Sequence, residues 1–144
     1  MERLLLLRDV PIFSHLSIQQ LDAISQLMTE RQYVRGEVVF REGDPASELF
    51  LMIEGKVRIV TDYGSPEETT LNELVAPSYF GEMAILDDKA RSATVAVIDD
   101  TRLLGLDGES FKDLMLQMAD ISLEICRSLS TRVRGLESAQ RSRH

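Results

Sequence analysis

The middle of the chain, residues 33–107, consists of short apolar runs separated by turn-forming residues. The runs are rich in Val, Ile, Leu and aromatic residues, and Gly, Asp and Pro stand between them. They lie at 37–41, 49–54, 56–62, 68–75, 92–98 and 102–107. Many short strands at this spacing predict an antiparallel barrel or roll. Glu54-Gly55 lies between two apolar runs and predicts a hairpin turn, because Gly accepts a positive φ.

Helical periodicity flanks this region on both sides. Before it, Ser17 and Gln20 form a capping-box pattern ahead of apolar residues at helical spacing. After it, four apolar residues recur at i, i+3, i+4 and i+7, namely Phe111, Leu114, Met115 and Met118. The chain is therefore predicted to have N-terminal helices (1–30), a β-roll (31–107), C-terminal helices (108–137) and a polar tail or linker (138–144).

The last helical segment carries a stripe that a second helix could share. Its members recur at steps of 4, 3 and 4 and are Ile125, Leu129, Arg132 and Leu136. This is the spacing of a coiled-coil seam. Two interpretations stay open, a homodimer through the C-terminal helix and a helix packed on its own β-roll.

Charge and residue counts argue against several classes of protein. The net charge of -8 disfavours non-specific DNA binding, which needs a basic face. The single Cys126 cannot form an intrachain disulfide, and with His15 and His144 it makes no recognisable metal site. The apolar run 4–7 is too short for a membrane span, and its flanks are not those of a signal peptide. We expect a cytoplasmic protein with no membrane segment, metal or cofactor.

The candidate binding site begins at Gly81. Glycine lets a backbone approach a ligand closely, and the first free N–H groups of a following helix can bind an anionic oxygen. Glu82, when ionised, only accepts hydrogen bonds and suits ligand hydroxyl groups, whereas the Arg91 guanidinium matches phosphate. Simpler alternatives are that Glu82 complements a helix dipole and that Arg91 pairs at the surface with Asp87 or Asp88.

The order of these residues resembles the phosphate-binding cassette of the cyclic nucleotide-binding domain family. Phe80-Gly81-Glu82 precedes an apolar run, and Arg91-Ser92-Ala93 begins nine residues after the acid. The glycine pair within 35–44 and the apolar strand 50–55 also resemble the family, as does the helical lead-in around Phe13. The resemblance covers residues 10–137, and members include sensor domains of cAMP receptor proteins and of cAMP-dependent kinase regulatory subunits.

The resemblance implies a mainly β fold with flanking helices. Its core is an eight-stranded antiparallel double-stranded β-helix, a jelly-roll-like β-roll, with a C-terminal helical lid that moves when cAMP or cGMP binds. The implied ligand-binding residues are Leu71, Leu74, Phe80, Gly81, Glu82, Met83, Ala84, Arg91, Ser92 and Ala93.

The resemblance also implies a role for each part of this set. The backbone near Gly81 and Met83 would face the cyclic phosphate, with Arg91 neutralising its charge and Ser92 beside it. Glu82 would accept a hydrogen bond from the ribose 2′-hydroxyl. The two leucines upstream would pack on the sugar or base.

Recognition of the base departs from the family pattern. In bacterial activators of the family a polar pair on the C-terminal helix reads the base, at positions matching Leu136 and Glu137. Leucine cannot make that hydrogen bond, so Val133 or Leu136 is expected to cap the base by apolar contact. Ser92 fits either nucleotide, and we favour cAMP over cGMP.

We therefore expect a single regulatory sensor domain over residues 1–137, and not an enzyme. It would relay occupancy through the C-terminal helix to a downstream effector domain or protein. The seven residues after 137 are too few for a helix-turn-helix, so we expect no DNA-binding domain in this chain. The alternative is a ligand-free β-roll used for dimerisation or interaction.

Overall fold

Two groups of helices flank an antiparallel sheet in the computed structural model, which describes residues 2–142. The first group contains a short 3₁₀ helix, Pro11–Phe13, and the second group follows the sheet directly. The α-helices are α1 (Glu2–Arg8), α2 (Ile18–Ser25), α3 (Glu82–Leu86), α4 (Gly108–Gln117) and α5 (Ala119–Ser142). The strands are β1 (Thr29–Tyr33), β2 (Val38–Phe40), β3 (Glu48–Thr61), β4 (Thr69–Val75), β5 (Ser78–Phe80) and β6 (Thr94–Asp107).

The start of α2 has the predicted capping box. The Gln20 backbone N–H donates to Ser17 Oγ at 3.1 Å, and the Ser17 N–H donates to Gln20 Oε1 at 2.9 Å. Two N–H groups that the helix cannot satisfy internally are therefore bonded. The helix buries Leu21 and Ile24 against the sheet side of the molecule.

The predicted hairpin at Glu54-Gly55 was wrong, because β3 continues through it from Glu48 to Thr61. Gly55 has φ +107°, and a Cβ there would lie 2.6 Å from Thr101 Cα. The glycine thus lets two backbones approach closely at a shift in register. Asp99-Asp100, which was expected to separate two strands, likewise lies within continuous β6.

The sheet contains six continuous strands within residues 2–142, and it is not a closed barrel. β3 and β6 pair over nearly their whole length. One half of this long ribbon has β1 and β5 as outer neighbours, and the other half has β2 and β4. Each half is therefore four strands wide, which explains how six strands produce the β-roll for which eight were expected.

The two faces of the β3 N-terminal half enter different cores, as its two-sided apolar pattern predicts. Phe50 and Met52 pack inside the roll with Phe80, Val95 and other β-strand residues. Leu49, Leu51 and Ile53 pack with the helices. This second core holds the N-terminal and C-terminal helices against the outside of the roll, and it also includes Ile85 of α3.

The C-terminal helix α5 extends to Ser142, five residues beyond the predicted end at 137. Ala139, Gln140 and Arg141 are favourable helix formers, so the polar composition of this part does not end the helix. The last two residues of the predicted tail lie outside the described part of the chain. None of the helices between residues 2 and 142 combines the length and apolar character needed to cross a membrane.

Candidate functional site

All ten ligand-binding residues predicted from the sequence border one cavity of about 260 Å³. They come from β4, β5, α3 and the segment that leads into β6. Their convergence depends on the roll, because β4 lies beside β3 and β5 pairs with the opposite half of that strand. The cavity is also bordered by residues that were not predicted, namely Phe40, Ile59, Asn72, Val95 and Arg132.

Gly81 forms the sharp turn that begins α3. Its φ is +88°, and it occupies the N-cap position of the helix. A Cβ at this position would lie 2.9 Å from Arg91 Nη1, which is closer than real Cβ contacts allow. The turn therefore requires glycine both for its backbone conformation and for the packing of Arg91.

Arg91 is buried at the rim of the roll, with 5% of its surface exposed. Nη1 donates to the Gly81 carbonyl oxygen at 2.8 Å, and Nη2 donates to the Glu48 carbonyl oxygen. The guanidinium carbon lies 4.0 Å from the centroid of the Phe40 ring, which is favourable for a cation. Burial lowers the pKa of Arg91 from its ordinary value, although neighbouring carboxylates oppose this shift. The guanidinium remains charged at neutral pH.

The surface ion pair proposed as an alternative for Arg91 does not form. Asp88 Oδ1 instead lies 3.1 Å from Lys112 Nζ on α4. The Arg91 guanidinium instead donates to two backbone carbonyl oxygens and lies over the Phe40 ring. Arg91 is therefore not a surface ion-pair residue.

Glu82 is the first residue of α3, and 2% of its surface is exposed. Its Oε1 atom lies 3.0 Å from Nη1 of Arg132, which reaches the cavity from α5. The hydrogen bond of this Nη1 is directed to Met83 Sδ at 3.3 Å, so Oε1 has a charge partner but accepts no hydrogen bond. Arg132 belongs to the stripe for which two interpretations were open, a seam between helices and a helix packed on its own β-roll, and its side chain faces the roll at Glu82.

Two buried polar atoms at this cavity have no hydrogen-bond partner among residues 2–142. One is the Nε donor of Arg91, and the other is the Oε1 acceptor of Glu82. Buried polar atoms are rarely left unpaired unless a ligand or another group satisfies them. A ligand that presents both an acceptor and a hydroxyl donor would complement this pair.

The charges around the cavity differ in sign from the charge of the whole chain. The charged residues that border it are Arg91, Arg132 and Glu82, which sum to +1. The complete sequence carries -8. The cavity is thus a local positive site, suited to a ligand with one negative charge.

The apolar part of the site is built on aromatic rings inside the roll. The ring centroids of Phe40 and Phe80 lie 6.0 Å apart, and those of Phe50 and Phe80 lie 5.5 Å apart. Leu71 borders the cavity with 59% of its surface exposed. Val133 and Leu136, which were expected to cap a base, do not border the cavity and are 54% and 72% exposed.

Sequence reasoning missed Arg132 because its partner is fifty positions away in the chain. A signal was nevertheless present, since Arg132 is a cation within an otherwise apolar stripe. A charge at such a position indicates a carboxylate or an anion facing the helix. Within the described residues, no group of three or more His, Cys, Asp or Glu side chains is placed to hold a metal ion.

Comparison with known proteins relates this geometry to a family. The family model "cyclic nucleotide-binding domain" matches residues 30–118. A Rhodopseudomonas palustris protein provisionally named as a potassium channel is 40% identical over 116 residues, covering 81% of this chain and 28% of that protein. The cyclic AMP receptor protein of Thermus thermophilus is 30% identical over 128 residues, covering 89% of this chain and 59% of that protein.

A solved structure agrees with these sequence matches. The crystal structure of the Thermus thermophilus catabolite activator protein superposes with a TM-score of 0.80 at 30% identity, covering 90% of this chain and 61% of that chain. The chain thus spans about a quarter to three fifths of the relatives described above. The β-roll, the turn at Gly81 and the matched residues together show that this chain belongs to the cyclic nucleotide-binding domain family.

Proposed function

We propose that this chain is a regulatory sensor domain that binds a cyclic nucleotide, with cAMP favoured over cGMP, and relays occupancy through α5. The observation that carries the proposal is that buried Arg91, whose Nε donor has no hydrogen-bond partner within the described residues, and buried Glu82 border one cavity of net charge +1. A cyclic phosphodiester supplies one negative charge and acceptor oxygens, and its ribose supplies a hydroxyl donor. The ligand therefore matches the site in charge and in hydrogen-bonding capacity.

Each part of the ligand has a proposed contact. Arg91 neutralises the cyclic phosphate, with the Ser92 hydroxyl and the backbone at Met83 and Ala84 beside it. Glu82 accepts a hydrogen bond from the ribose 2′-hydroxyl. Leu71 and Leu74 pack against the sugar or base. The site only binds its ligand in this proposal, and no side chain is assigned a role in covalent chemistry.

Two considerations favour cAMP. The 30% identical relative from Thermus thermophilus is named as a cyclic AMP receptor protein. In addition, the strand side of the cavity is mostly apolar, with Ile59, Leu71 and Leu74 beside a single amide residue, Asn72. Apolar contact suffices to hold an adenine ring, whereas selecting guanine requires dedicated polar partners.

The relay through α5 is supported by Arg132. This residue connects the C-terminal helix α5, the element proposed to move, to the Glu82 carboxylate, which is proposed to bind the ribose. The cavity volume of about 260 Å³ lies just below the usual range for small-molecule sites, about 300–1,000 Å³. Ligand entry would therefore displace Arg132 and with it α5, toward an effector domain or protein outside this chain.

Calorimetric titration with cAMP and with cGMP tests the binding proposal. We expect heat and a saturable isotherm with both nucleotides and a smaller dissociation constant for cAMP. No heat and no thermal shift at millimolar concentration of either nucleotide would refute it. Hydrogen exchange over residues 109–137 tests the relay, with changed protection expected when cAMP is bound and unchanged protection counting against coupling.

A second candidate function, a dimerisation module, is favoured by exposed apolar residues on α5. Leu123, Val133 and Leu136 are each about half exposed or more. Sedimentation velocity at several protein concentrations, with and without nucleotide, distinguishes the two functions. A dimer that is indifferent to both nucleotides would favour the interaction module over the sensor.

A further inference from the structure

Met83 is the one methionine between residues 2 and 142 that lies at the surface, with 47% of its area exposed. Met28 and Met52 are buried. Met115 and Met118 are partly buried, where they pack against the core that the helices share with the roll. An oxidant reaches an exposed thioether more easily than a buried one. Met83 is therefore the described methionine that is most open to oxidation.

The sulfur of Met83 is also part of the candidate site. Met83 follows Glu82 in the first turn of α3 and borders the cavity. Its Sδ accepts a 3.3 Å hydrogen bond from Nη1 of Arg132, the same atom that lies 3.0 Å from Glu82 Oε1. One donor on α5 thus faces both a carboxylate and a thioether of α3. Because a thioether is a weak acceptor, the carboxylate provides most of the attraction for the cation.

We propose that Met83 is a site of reversible oxidation by hydrogen peroxide, and that its sulfoxide strengthens the contact between α3 and α5. In this reaction a sulfur lone pair attacks one peroxide oxygen, and the O–O bond breaks as an S–O bond forms. The proton of the attacked oxygen passes to the leaving oxygen, which departs as water. The sulfur is oxidised by two electrons, and the peroxide is reduced by two.

The oxidised side chain offers Arg132 a better acceptor at the same place. Oxidation converts an apolar side chain with a weakly accepting sulfur into a polar one with an oxygen acceptor. A methionine side chain has three rotatable bonds, so the new oxygen can turn toward Arg132 Nη1. The guanidinium keeps donors for Glu82 as well, because it has five N–H groups. Two groups of α3 then hold the cation of α5.

Oxidation should oppose the binding of nucleotide, and this consequence rests on the proposed function, in which the ligand displaces Arg132. An added acceptor for Arg132 stabilises the empty site relative to the occupied one. We expect the dissociation constant for cAMP to rise by about 2- to 13-fold, the factor that one net hydrogen bond contributes. Hydrogen peroxide would then lower the occupancy of the site at a given nucleotide concentration.

Peptide mass spectrometry after graded peroxide treatment tests the site of modification. All samples are the full chain with Cys126→Ser, because the exposed Cys126 thiol also reacts with peroxide. Met83 should be oxidised at lower peroxide concentrations than the four other described methionines, and the two methionine sulfoxide reductases, one for each epimer, should reverse it. Oxidation of those methionines while Met83 stays intact would overturn the proposal.

Hydrogen exchange of α5 tests the strengthened contact without any nucleotide. Oxidation should slow exchange of the amides around Arg132 by about 2- to 13-fold. Met83→Gln, which carries an amide oxygen on a side chain of similar length, should reproduce this effect. Met83→Leu, which neither oxidises nor accepts a hydrogen bond, is the matched control and should make the exchange insensitive to peroxide. In an Arg132→Gln background oxidation should change nothing, and equal slowing there would refute the contact.

Calorimetric titration with cAMP tests the consequence for binding. The oxidised chain and Met83→Gln should bind cAMP more weakly than the untreated chain, and the affinity of Met83→Leu should be the same before and after peroxide. If no nucleotide binds to any sample, the proposed function fails while hydrogen exchange still decides the contact. If nucleotide binds but oxidation of Met83 alters neither exchange nor affinity, this inference alone fails.

Discussion

The Arg91 guanidinium donates a 2.8 Å hydrogen bond to the Gly81 carbonyl oxygen, ten residues earlier in the chain. The bond closes the segment that contains α3, and Gly81 provides the room, because any Cβ would collide with Arg91 Nη1. A second hydrogen bond from Arg91 reaches the Glu48 carbonyl oxygen at the start of β3. The residue proposed to bind phosphate is thus oriented by backbone atoms, and its Nε donor has no hydrogen-bond partner within the described residues.

Arg91→Ala should weaken cAMP binding by about ten- to a hundredfold, since a hydrogen bond to a charged group contributes about 1.5–3 kcal/mol. Ser92→Ala, the neighbouring substitution at the same site, should have a smaller effect because it removes a neutral hydroxyl. Calorimetry of both variants against the parent provides the measurement. Equal affinities for Arg91→Ala and the parent would show that Arg91 is not the phosphate partner.

Gly55→Ala should be more destabilising than Gly64→Ala by about 1–3 kcal/mol. Both glycines have a positive φ, +107° at Gly55 and +82° at Gly64, so both substitutions introduce backbone strain. The two positions differ in the room available for a side chain. A Cβ at Gly55 would lie 2.6 Å from Thr101 Cα, whereas nothing lies within 4 Å of a Cβ at Gly64. Urea unfolding of the two variants isolates the cost of the close approach between β3 and β6. Similar midpoints for both would show that this approach relaxes easily.

Asp107→Ala should destabilise the chain by about 1 kcal/mol at pH 7, the usual effect of losing an N-cap. Asp107 Oδ1 accepts the Ser110 N–H at 2.9 Å at the start of α4, and hydrogen bonding to Ser110 lowers the pKa of the Asp107 carboxyl below 3.8. A lowered folded-state pKa means that the charged form stabilises the fold above pH 3.8. This contribution is lost as pH falls through the lowered pKa.

The difference in free energy of unfolding between the parent and Asp107→Ala should therefore be constant from pH 7 to pH 5 and should shrink toward pH 3. Asp107→Asn is the matched control, because its amide oxygen keeps the capping hydrogen bond without a titrating charge. Urea unfolding at each pH gives the free energies of unfolding. A difference that grows on acidification would contradict the assigned direction of the pKa shift.

Arg102→Gln should be more destabilising than Arg31→Gln. Arg102 contacts carboxylate oxygens of Glu2, Glu30 and Glu54 at 2.9–3.1 Å, which joins α1, β1 and β3 to β6. Arg31 has one ion pair, with Glu48. Losing Arg102 leaves three nearby carboxylates without their shared cation, and we expect a loss of about 1 kcal/mol or more at low salt.

Salt provides the check on this electrostatic explanation. At 1 M NaCl the difference in thermal stability between the parent and Arg102→Gln should decrease, because exposed charges are screened over about 3 Å. Thermal unfolding of the parent and of Arg102→Gln at low and at high salt gives the comparison. A difference unaffected by salt would assign the effect to packing of the arginine side chain instead.

Local patterns sufficed to predict a β-roll with helices around it, and the resemblance to the cyclic nucleotide-binding domain family implied ten of the residues that border the cavity. Turn residues and strand periodicity are local properties, and most of the cavity lining comes from one continuous stretch, 80–93. The hairpin at Gly55 failed because a positive-φ glycine occurs both in turns and where two backbones pass closely. Only the partner strand distinguishes these cases, and that partner, Thr101, lies 46 positions away in the chain.

The sequence by itself determined the class of fold and the chemistry of the turn, acid and arginine at Gly81, Glu82 and Arg91. The tertiary structure decided which of these groups are buried and what completes the site. Arg132 belongs to the cavity only because α5 folds back over the roll, and Val133 beside it faces outward. Side-chain direction on a helix changes by about 100° per residue. The packing of α5 on the roll therefore sets which of its residues reach the cavity and which remain exposed.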